Sequence, residues 1–291
     1  MRLTYRFSCP AFYMKPLPAE LAGEPASGTN GREDIAADII AASLRRMRIV
    51  LVAPSHAGNV GAAARAMKVM GLTRLALVAP RFADVLTQAD ALAFASGAAD
   101  LLKRATVHAT LADALAGVSW SVALTARERE FAPPLLSLGD AAVKAAALVA
   151  EPAQNEIAFV FGSERYGLSN DDVLRCQAMC AIETGASYTS LNLAQAVQLV
   201  AYECCRAALA RATSLDGQPA SAPQSDRATH EERESLVAHF EAALVAIGYL
   251  DPAAPKKLMP RLRRLFARAE LEHEEVQWLR GIAKAMLKSK R

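Results

Sequence analysis

The chain has 291 residues, of which 53% are hydrophobic, and its glycine, proline and charged-residue contents are ordinary. This composition excludes globally disordered and fibrous proteins, and the length is enough for one large domain and a small one. No apolar run approaches the roughly 20 residues that cross a bilayer. The first residues also lack a sustained apolar segment, so we expect neither a secretory signal nor a membrane partner.

Five cysteines form an odd number without the spacing of a disulfide framework, which favours the reducing cytoplasm. Cys176 and Cys180, together with the adjacent pair Cys204 and Cys205, suggest a zinc site as an alternative. Neither pair has the C-x2-C spacing of a zinc knuckle, and the second pair lies within a predicted helix. We therefore expect small buried thiols and no metal.

Positive charge is concentrated at the C-terminal end of the chain. Between Lys256 and Arg291 there are eleven basic and four acidic residues, a net charge of +7, which leaves −4 for the remainder within the total of +3. A basic end on a mildly acidic body favours an anionic polymer as a partner. The alternative is a solvated helix face without a partner.

Residues 1–47 do not show the pattern of a packed core. Leu17–Arg32 is rich in proline, glycine, alanine and glutamate, and Asp34–Arg46 is compatible with a short helix. We expect a mobile N-terminal extension here. Alternatively, translation begins at Met47, where regular patterning starts.

Two short apolar runs and the segment between them predict a βαβ unit. Arg48–Ala53 and Arg74–Ala79 have the pattern of buried strands, and a loop at Pro54–Asn59 leads into a helix over Val60–Met70. Gly71 follows as the residue that ends this helix. A strand, a helix and a strand in so few residues predict a right-handed parallel crossover.

Three further apolar runs predict additional strands at Ser119–Thr125, Ile157–Phe161 and Met179–Glu183. The predicted fold class is therefore α/β with a mainly parallel sheet. A long helix over Asn192–Arg211 has little polar surface, so we expect the sheet and another subunit to cover it.

The end of the chain is predicted to be a separate helical module. Thr213–Thr229 has the composition of a flexible linker, and residues 230–291 follow it. Apolar residues at helical spacing form three stripes, which predict three short amphipathic helices with the basic residues on their polar sides. The stripes are Leu236, Phe240, Leu244 and Ile247; Leu258, Leu262, Leu265 and Phe266; and Val276, Leu279, Ala283 and Met286.

The segment from His56 to Arg65 places two glycines, Gly58 and Gly61, where a strand passes into a helix. This arrangement favours close backbone approach to an anion at the helix N-terminus, with the planar guanidinium of Arg65 suited to phosphate. A dinucleotide-binding fold is one alternative, but the G-x-G-x-x-G spacing is absent and no acidic residue follows the next strand. A tight turn made by the glycines is another.

Two more strand-to-helix loops lie at Gly162–Ser169 and Tyr188–Leu193. The first lacks the Gly-Lys-Ser/Thr ending of a P-loop, and we expect Ser169 or the next residue to cap the following helix. Glu164, in an apolar setting, needs hydrogen-bond donors and is predicted to tie loops together instead of acting as a base. Ser190 is disfavoured as a hydrolytic nucleophile because no G-x-S-x-G motif or histidine partner accompanies it.

Taken together, three motifs resemble the SPOUT (TrmH-like) class of RNA 2′-O-methyltransferases. They are NVGAAAR at Asn59–Arg65, FGSERYGL at Phe161–Leu168 and SLNL at Ser190–Leu193. The segment Thr125–Arg129 extends the resemblance, which runs from about Arg48 to the end of the chain. The C-terminal module is similar to that of bacterial tRNA (cytidine/uridine-2′-O)-methyltransferases, which modify position 32 of the anticodon loop.

This resemblance implies a C-terminal trefoil knot, an obligate homodimer with the site at the subunit interface, and S-adenosylmethionine as methyl donor. Carried over by position, the implied donor contacts are Leu124, Thr125, Ala126, Gly162, Ile182, Thr189, Ser190 and Leu191. Arg65 is the implied catalytic residue, acting on the adjoining phosphate and the developing alkoxide. Asn59, Glu164 and Asn192 are expected to support the site at the dimer interface.

The implied domains are an N-terminal extension (1–47), a SPOUT methyltransferase domain (48–212), a linker (213–229) and a basic helical tRNA-binding domain (230–291). The implied function is 2′-O-methylation of cytidine or uridine 32 in tRNA, with no DNA partner. Two alternatives stay open: a SPOUT enzyme that acts on another tRNA position or on rRNA, and an RNA-binding protein without catalysis.

Overall fold

The computed structural model of the chain describes residues 30–125, 127, 129–151, 155–185, 190–214 and 226–289. Two implied donor contacts, Ala126 and Thr189, lie outside these residues. So do the first 29 residues of the predicted extension, residues 215–225 of the predicted linker and the last two residues of the basic end.

A single parallel sheet forms the centre of the described structure. Its strands are β1 (Met47–Val52), β2 (Arg74–Val78), β3 (Thr106–His108), β4 (Val118–Leu124), β5 (Leu135–Ser137), β6 (Glu156–Phe161) and β7 (Ala178–Ala181). Their order is β3-β2-β1-β6-β4-β7-β5, and every neighbouring pair is parallel. The prediction of an α/β fold with a mainly parallel sheet is confirmed.

Helices cover both faces of this sheet, and the last three helices of the chain form a separate bundle. The helices are α1 (Asn30–Arg45), α2 (Ala57–Val69), α3 (Ala89–Ala95), α4 (Ala99–Arg104), α5 (Leu111–Ala114), α6 (Leu138–Val149), α7 (Asn170–Arg175), α8 (Leu193–Ser214), α9 (His230–Ala246), α10 (Leu258–Ala269) and α11 (His273–Lys288). Ile49 and Leu51 belong to the core on one face and Val50 to the core on the other. Successive residues of a strand point to opposite faces, so β1 is apolar throughout.

The five strands predicted from apolar runs are present, each within two residues of its predicted bounds. Two strands were not predicted, β3 and β5. Each has three residues, is partly exposed and forms one edge of the sheet. A short, half-solvated edge strand carries too few buried side chains to produce an apolar run.

Helix α1 corrects the interpretation of residues 1–47. Ile40 and Leu44 are buried in the same core cluster as β1, and α1 packs against α8. The expectation that this segment stays outside the core is therefore wrong for the last turns of α1. Alanines and charged residues alternate with the apolar residues of α1, which hid the two buried positions.

The three C-terminal helices form the predicted bundle around their own small core. Leu236, Phe266 and Val276 are buried in it, and the Phe240 and Phe266 rings meet edge to face at 5.7 Å. Two predicted stripe residues differ, since Ile247 and Leu265 are 43% and 54% exposed. Ile247 is the residue that ends α9, and Leu265 lies on an exposed side of α10, so spacing alone does not decide their burial.

This bundle docks onto the sheet through charged side chains. Arg233 of α9 is only 7% exposed, and its guanidinium donates a hydrogen bond of 2.8 Å to the Ser119 carbonyl of β4. Burial lowers the pKa of Arg233 to about 10. Nearby, Arg175 of α7 and Glu234 of α9 form an ion pair at 2.9 Å. The module is thus attached at the amino end of β4 and at α7.

Three of the described cysteines, Cys176, Cys180 and Cys204, are buried free thiols, as predicted. Burial raises the pKa of the first two to about 12, so they are protonated and unreactive at neutral pH. Within the described ranges, no helix has both the length and the apolar character to cross a membrane.

Candidate functional site

A cavity of about 470 Å³ lies at the carboxyl ends of the neighbouring strands β6, β4 and β7. This volume lies within the range of roughly 300–1,000 Å³ that small-molecule sites occupy. Six of the implied donor contacts line it: Leu124, Thr125, Gly162, Ile182, Ser190 and Leu191. The structure therefore gathers every implied contact that falls on described residues.

The loop after β6 folds tightly on itself at Gly162, which lines the cavity. A Cβ atom on Gly162 would lie 2.0 Å from the carbonyl carbon of Gly167 and 2.2 Å from the nitrogen of Leu168. Gly167 itself has a φ of +69°, in the left-handed region that favours glycine. No side chain fits at Gly162, so this wall of the cavity is necessarily backbone.

Glu164 joins this loop to the loop after β1. Its Oε2 accepts hydrogen bonds from the Ser55 backbone nitrogen (2.9 Å) and hydroxyl (2.8 Å), and its Oε1 accepts one from the Asn59 amide (2.9 Å). Although burial raises the pKa of Glu164, hydrogen bonds from Asn59, its own backbone and Ser55 lower it to about 2. The prediction that Glu164 ties loops together is confirmed.

Asn192 connects the third motif to the same network. Its side-chain nitrogen donates to Asn59 Oδ1 at 2.9 Å, and its Oδ1 accepts from the Ala194 backbone nitrogen at 2.9 Å. The second bond satisfies a free N–H at the start of α8, as a capping residue does. Asn59, Glu164 and Asn192 therefore hold the three motifs in fixed positions around the cavity.

Arg129 is a site residue to which the sequence assigned no role. Its guanidinium donates to Thr125 Oγ1 (2.7 Å), to the Leu168 carbonyl (2.7 Å) and to Asn170 Oδ1 (2.9 Å). Burial, followed by the charge of Arg127, lowers its pKa. Arg129 also lines the cavity, so it fixes the loop after β4 against the loop after β6. The sequence indicated a role for Arg129 only through its place in the Thr125–Arg129 segment of the family resemblance.

The first motif differs from its prediction because α2 begins at Ala57, three residues early, and includes both glycines. A Cβ atom on Gly61 would lie 2.1 Å from the Ala91 carbonyl oxygen of α3. Gly61 therefore allows two helices to pack closely, and its interpretation as a turn or ligand-approach glycine is wrong.

Arg65 lies on the exposed side of α2 and is not among the lining residues of the cavity. Among the described residues, no ion pair or hydrogen bond to its side chain is present. The guanidinium is therefore available to a partner molecule, at a position the single chain does not bring into the cavity.

The rim of the cavity is basic and carries an exposed aromatic ring. Arg127 and Arg165 both line it, and the Arg165 guanidinium lies 5.2 Å from the ring centroid of Tyr166. Tyr166 is 67% exposed. Exposed guanidinium groups and rings of this kind bind phosphates and stack on bases.

The walls of the cavity favour binding over nucleophilic chemistry. Ser190 lines it, but no histidine lies among its described lining residues, so a serine–histidine pair is not formed there. Leu124, Ile182 and Leu191 supply apolar surface, while the loop backbones supply polar groups. This combination suits a small molecule with a flat apolar part and polar ends.

Comparison with known proteins agrees with this architecture. Residues 46–202 match the family described as "SpoU rRNA Methylase family", and residues 231–291 match "tRNA methyltransferase TrmJ, C-terminal domain". The parallel sheet, the cavity at its carboxyl edge and the first match together define a methylase. The chain belongs to the SpoU rRNA methylase family.

Individual relatives extend over most of the chain. It is 42% identical over 239 residues to the tRNA (cytidine/uridine-2′-O-)-methyltransferase TrmJ of Salmonella typhimurium, covering 82% of this chain and 95% of that protein. The crystal structure of TrmJ from Z. mobilis ZM4 is 33% identical with a TM-score of 0.69, covering 82% and 98%. A probable methyltransferase from Bordetella pertussis is 45% identical with a TM-score of 0.55, covering 58% and 99%.

Proposed function

We propose that the chain transfers a methyl group from S-adenosylmethionine to the ribose 2′-oxygen of cytidine or uridine 32 in tRNA, in the cytoplasm. The observation that carries this proposal is the cavity at the carboxyl edge of the sheet, lined by six implied donor contacts. Membership of a methylase family supports methyl transfer, and the names of the relatives support a tRNA pyrimidine. Position 32 rests on the resemblance of the C-terminal module.

The residues present fit the methyl donor. Leu124, Ile182 and Leu191 suit a heterocycle, Thr125 and Ser190 offer hydroxyl groups, and Gly162 keeps one wall free of side chains. When bound, S-adenosylmethionine supplies a methyl group made electrophilic by its sulfonium. The loops tied by Glu164 and Arg129 would hold their backbone groups ready before binding, which lowers the cost of ordering them.

Arg65 is the proposed catalytic residue. The protein has to hold the 2′-oxygen in line with the methyl group and accommodate the charge that develops as its proton leaves. An arginine stays protonated in proteins and is a poor base. We propose that its guanidinium binds the adjoining phosphate and stabilises the developing alkoxide. The proton of the 2′-hydroxyl passes to phosphate or water.

A homodimer would complete the site. Helices α2 and α8 pack together, and both carry exposed apolar side chains; Val69 lies about one helical turn from Arg65 on α2. Val69 is 60%, Tyr202 50% and Leu199 39% exposed. A second copy that covers this face would bury these side chains and place Arg65 at the junction between subunits, where the site is expected.

The proposed domain division assigns methyl transfer to 48–212, in which the family resemblance implies a trefoil knot. It assigns a linker to 213–229 and tRNA binding to 230–291, although residues 213 and 214 belong to α8, Ala228 is buried in the core of the module and Thr229 caps α9. The basic C-terminal helices supply charge for the RNA backbone, and charge of this kind makes affinity dependent on salt.

The test is methylation of tRNA by the purified full-length chain, with nucleoside mass spectrometry of the product. We expect 2′-O-methylcytidine or 2′-O-methyluridine at position 32. The matched control is the same tRNA with a 2′-deoxynucleotide at position 32, which lacks the accepting oxygen. Methylation of that control, or at another tRNA position or in rRNA, would identify a different target.

Isothermal titration with S-adenosylmethionine distinguishes the proposed enzyme from the remaining alternative, an RNA-binding protein without catalysis. A non-catalytic RNA-binding protein predicts no heat of binding for the donor but normal binding of tRNA. The proposed enzyme predicts saturable donor binding to one cavity per chain.

A further inference from the structure

Four basic residues lie along one face of helix α10, the first of them, Lys257, directly before the helix begins. Lys257, Arg261, Arg264 and Arg268 are spaced by four, three and four residues, which places them above one another on a helix surface. All four are exposed. We call these four residues the α10 stripe; at 1.5 Å per residue it extends over about 16 Å.

The stripe is distinct from the basic residues that hold the module together. Arg263, on another side of α10, is paired with Glu234. For Arg264 and Arg268, by contrast, the described part of the chain supplies no acidic partner. Half of the stripe is therefore available to a polyanion without displacing an ion pair.

The other half of the stripe meets the cavity loop. The Lys257 ammonium lies 2.5 Å from Glu130 Oε2 and 5.5 Å from the ring centroid of Phe131, and the Arg261 guanidinium lies 5.2 Å from the same ring. Glu130 and Phe131 directly follow Arg129, which lines the cavity. The stripe thus begins beside the loop that carries Arg127 and Arg129, two of the residues that line the cavity.

The contact at Phe131 is weak enough for RNA to compete with it. Phe131 has a φ of +60°, a backbone conformation that is unfavourable for a residue with a side chain. The two cations that face its ring, Lys257 and Arg261, are exposed, and both side chains of the Glu130–Lys257 pair are more than half exposed. Water and salt therefore weaken these contacts. The contact aligns the helix with the loop without withdrawing its charges from a phosphate chain.

We propose that the RNA backbone follows the α10 stripe, passes Arg127, Arg129 and Phe131 and enters the cavity at the Arg165–Tyr166 rim. This inference rests on the proposed function and specifies which surface of the basic module holds the tRNA. The partner is recognised by its phosphates, so the stripe supplies affinity and direction, not base sequence.

The test compares two double variants that each remove two positive charges from the full-length chain. Arg264→Gln with Arg268→Gln alters the stripe, whereas Lys284→Gln with Lys288→Gln alters exposed residues of α11 in the same module. Fluorescence anisotropy with labelled tRNA gives Kd over a series of salt concentrations. Because all four side chains are exposed, we expect both variants to retain the melting temperature of the parent.

The stripe variant is expected to weaken tRNA binding on the order of 30-fold at about 0.1 M salt and to reduce the salt slope by about 1.5, the value for two lost phosphate contacts. The α11 variant is expected to lose much less. Equal losses in the two variants, or an unchanged slope in the stripe variant, would overturn the proposed path. An acidic protein as the true occupant would also leave the tRNA slope unchanged.

A third variant tests whether the stripe and the loop form one surface. Phe131→Leu removes the ring that Lys257 and Arg261 share while keeping an apolar side chain. We expect kcat/KM for tRNA methylation to fall about 10-fold with Kd for tRNA within about 2-fold, as for an interaction that orients bound substrate. Unchanged kcat/KM would overturn this part. Failure of the proposed function is separate, because the parent chain would then bind tRNA without methylating it.

Discussion

The cavity end of the sheet and the helical module at the end of the chain are each organised by a carboxylate. The groups that donate hydrogen bonds to the two carboxylates differ. Glu164 accepts hydrogen bonds from the neutral groups of Ser55 and Asn59, with the His56 Nδ1 atom 3.5 Å from its Oε1. Glu234 lies between two guanidinium groups, those of Arg175 and Arg263. Burial raises the pKa of both carboxyls, yet both end below the ordinary value because of these donors.

The difference indicates what each region has to do. Neutral hydrogen bonds are directional and little affected by salt, which suits loops that must hold fixed positions around a small ligand. Ion pairs tolerate displacement and weaken with ionic strength, which suits a module that holds RNA and adjusts to it. We therefore expect changes at the cavity end to affect catalysis and changes in the module to affect attachment.

The largest effect is expected from Gly162→Ala, which would sharpen the role of fixed loop geometry. The added Cβ would meet backbone atoms of Gly167 and Leu168 within 2.2 Å. Such overpacking destabilises by about 1–3 kcal/mol or more and closes the cavity wall. Isothermal titration should detect no donor binding. The control is Gly97→Ala, where nothing lies within 4 Å of the new atom.

Arg65→Ala is expected to lower kcat for methylation by about 100–1,000-fold, the usual effect of removing a donor to a developing oxyanion. Because Arg65 is exposed, the melting temperature should stay unchanged. Arg65→Lys keeps the charge but loses the planar guanidinium, so its activity should lie between that of the parent and that of Arg65→Ala. Full activity of Arg65→Ala would place the chemistry elsewhere.

Glu164→Gln tests the neutral network directly. The variant places an amide where two oxygens accept hydrogen bonds, which leaves a donor facing a donor and costs about 1–3 kcal/mol of stability. The affinity for S-adenosylmethionine should fall together with the stability. A variant that binds the donor as tightly as the parent would show that the Ser55 and Asn59 contacts are incidental.

The same residue predicts a pH dependence. The pKa of Glu164 is about 2 in the folded chain and 4.5 ordinarily, so its contribution is complete above about pH 4.5. It is lost as the pH falls from there towards 2, because the unfolded chain binds the proton first. Melting temperatures measured across this window should fall more steeply in the parent than in Glu164→Gln.

The smallest effect is expected from Glu270→Gln in the module. Glu270 pairs with Lys144 of α6 and with Arg227 before α9, and its side chain is 27% exposed. Loss of these pairs should cost about 1 kcal/mol at low salt and less at high salt. Urea unfolding at two salt concentrations measures it. Donor affinity should not change; a change would contradict the division between the two regions.

The sequence by itself determined the fold class, the five longer strands and the positions of the three motifs. These features are local: a buried strand needs a run of apolar residues, and a loop before a helix needs small and capping residues. Ser169 illustrates this, since it caps α7 together with Asp172 only three residues away. Four of the six implied donor contacts that line the cavity, Thr125, Gly162, Ser190 and Leu191, belong to short motifs that can be recognised without a fold. Leu124 and Ile182 lie outside these motifs, at the ends of strands.

Only the tertiary structure decided how these pieces meet. Ser55 and Glu164 are 109 residues apart in the chain, and Gly61 owes its role to a carbonyl of α3. Arg129 and the buried turns of α1 gave no periodic pattern, because a single long-range contact repeats at no spacing. Periodicity reports which face of an element is buried, whereas the partner it is buried against is set by the packing of the whole sheet.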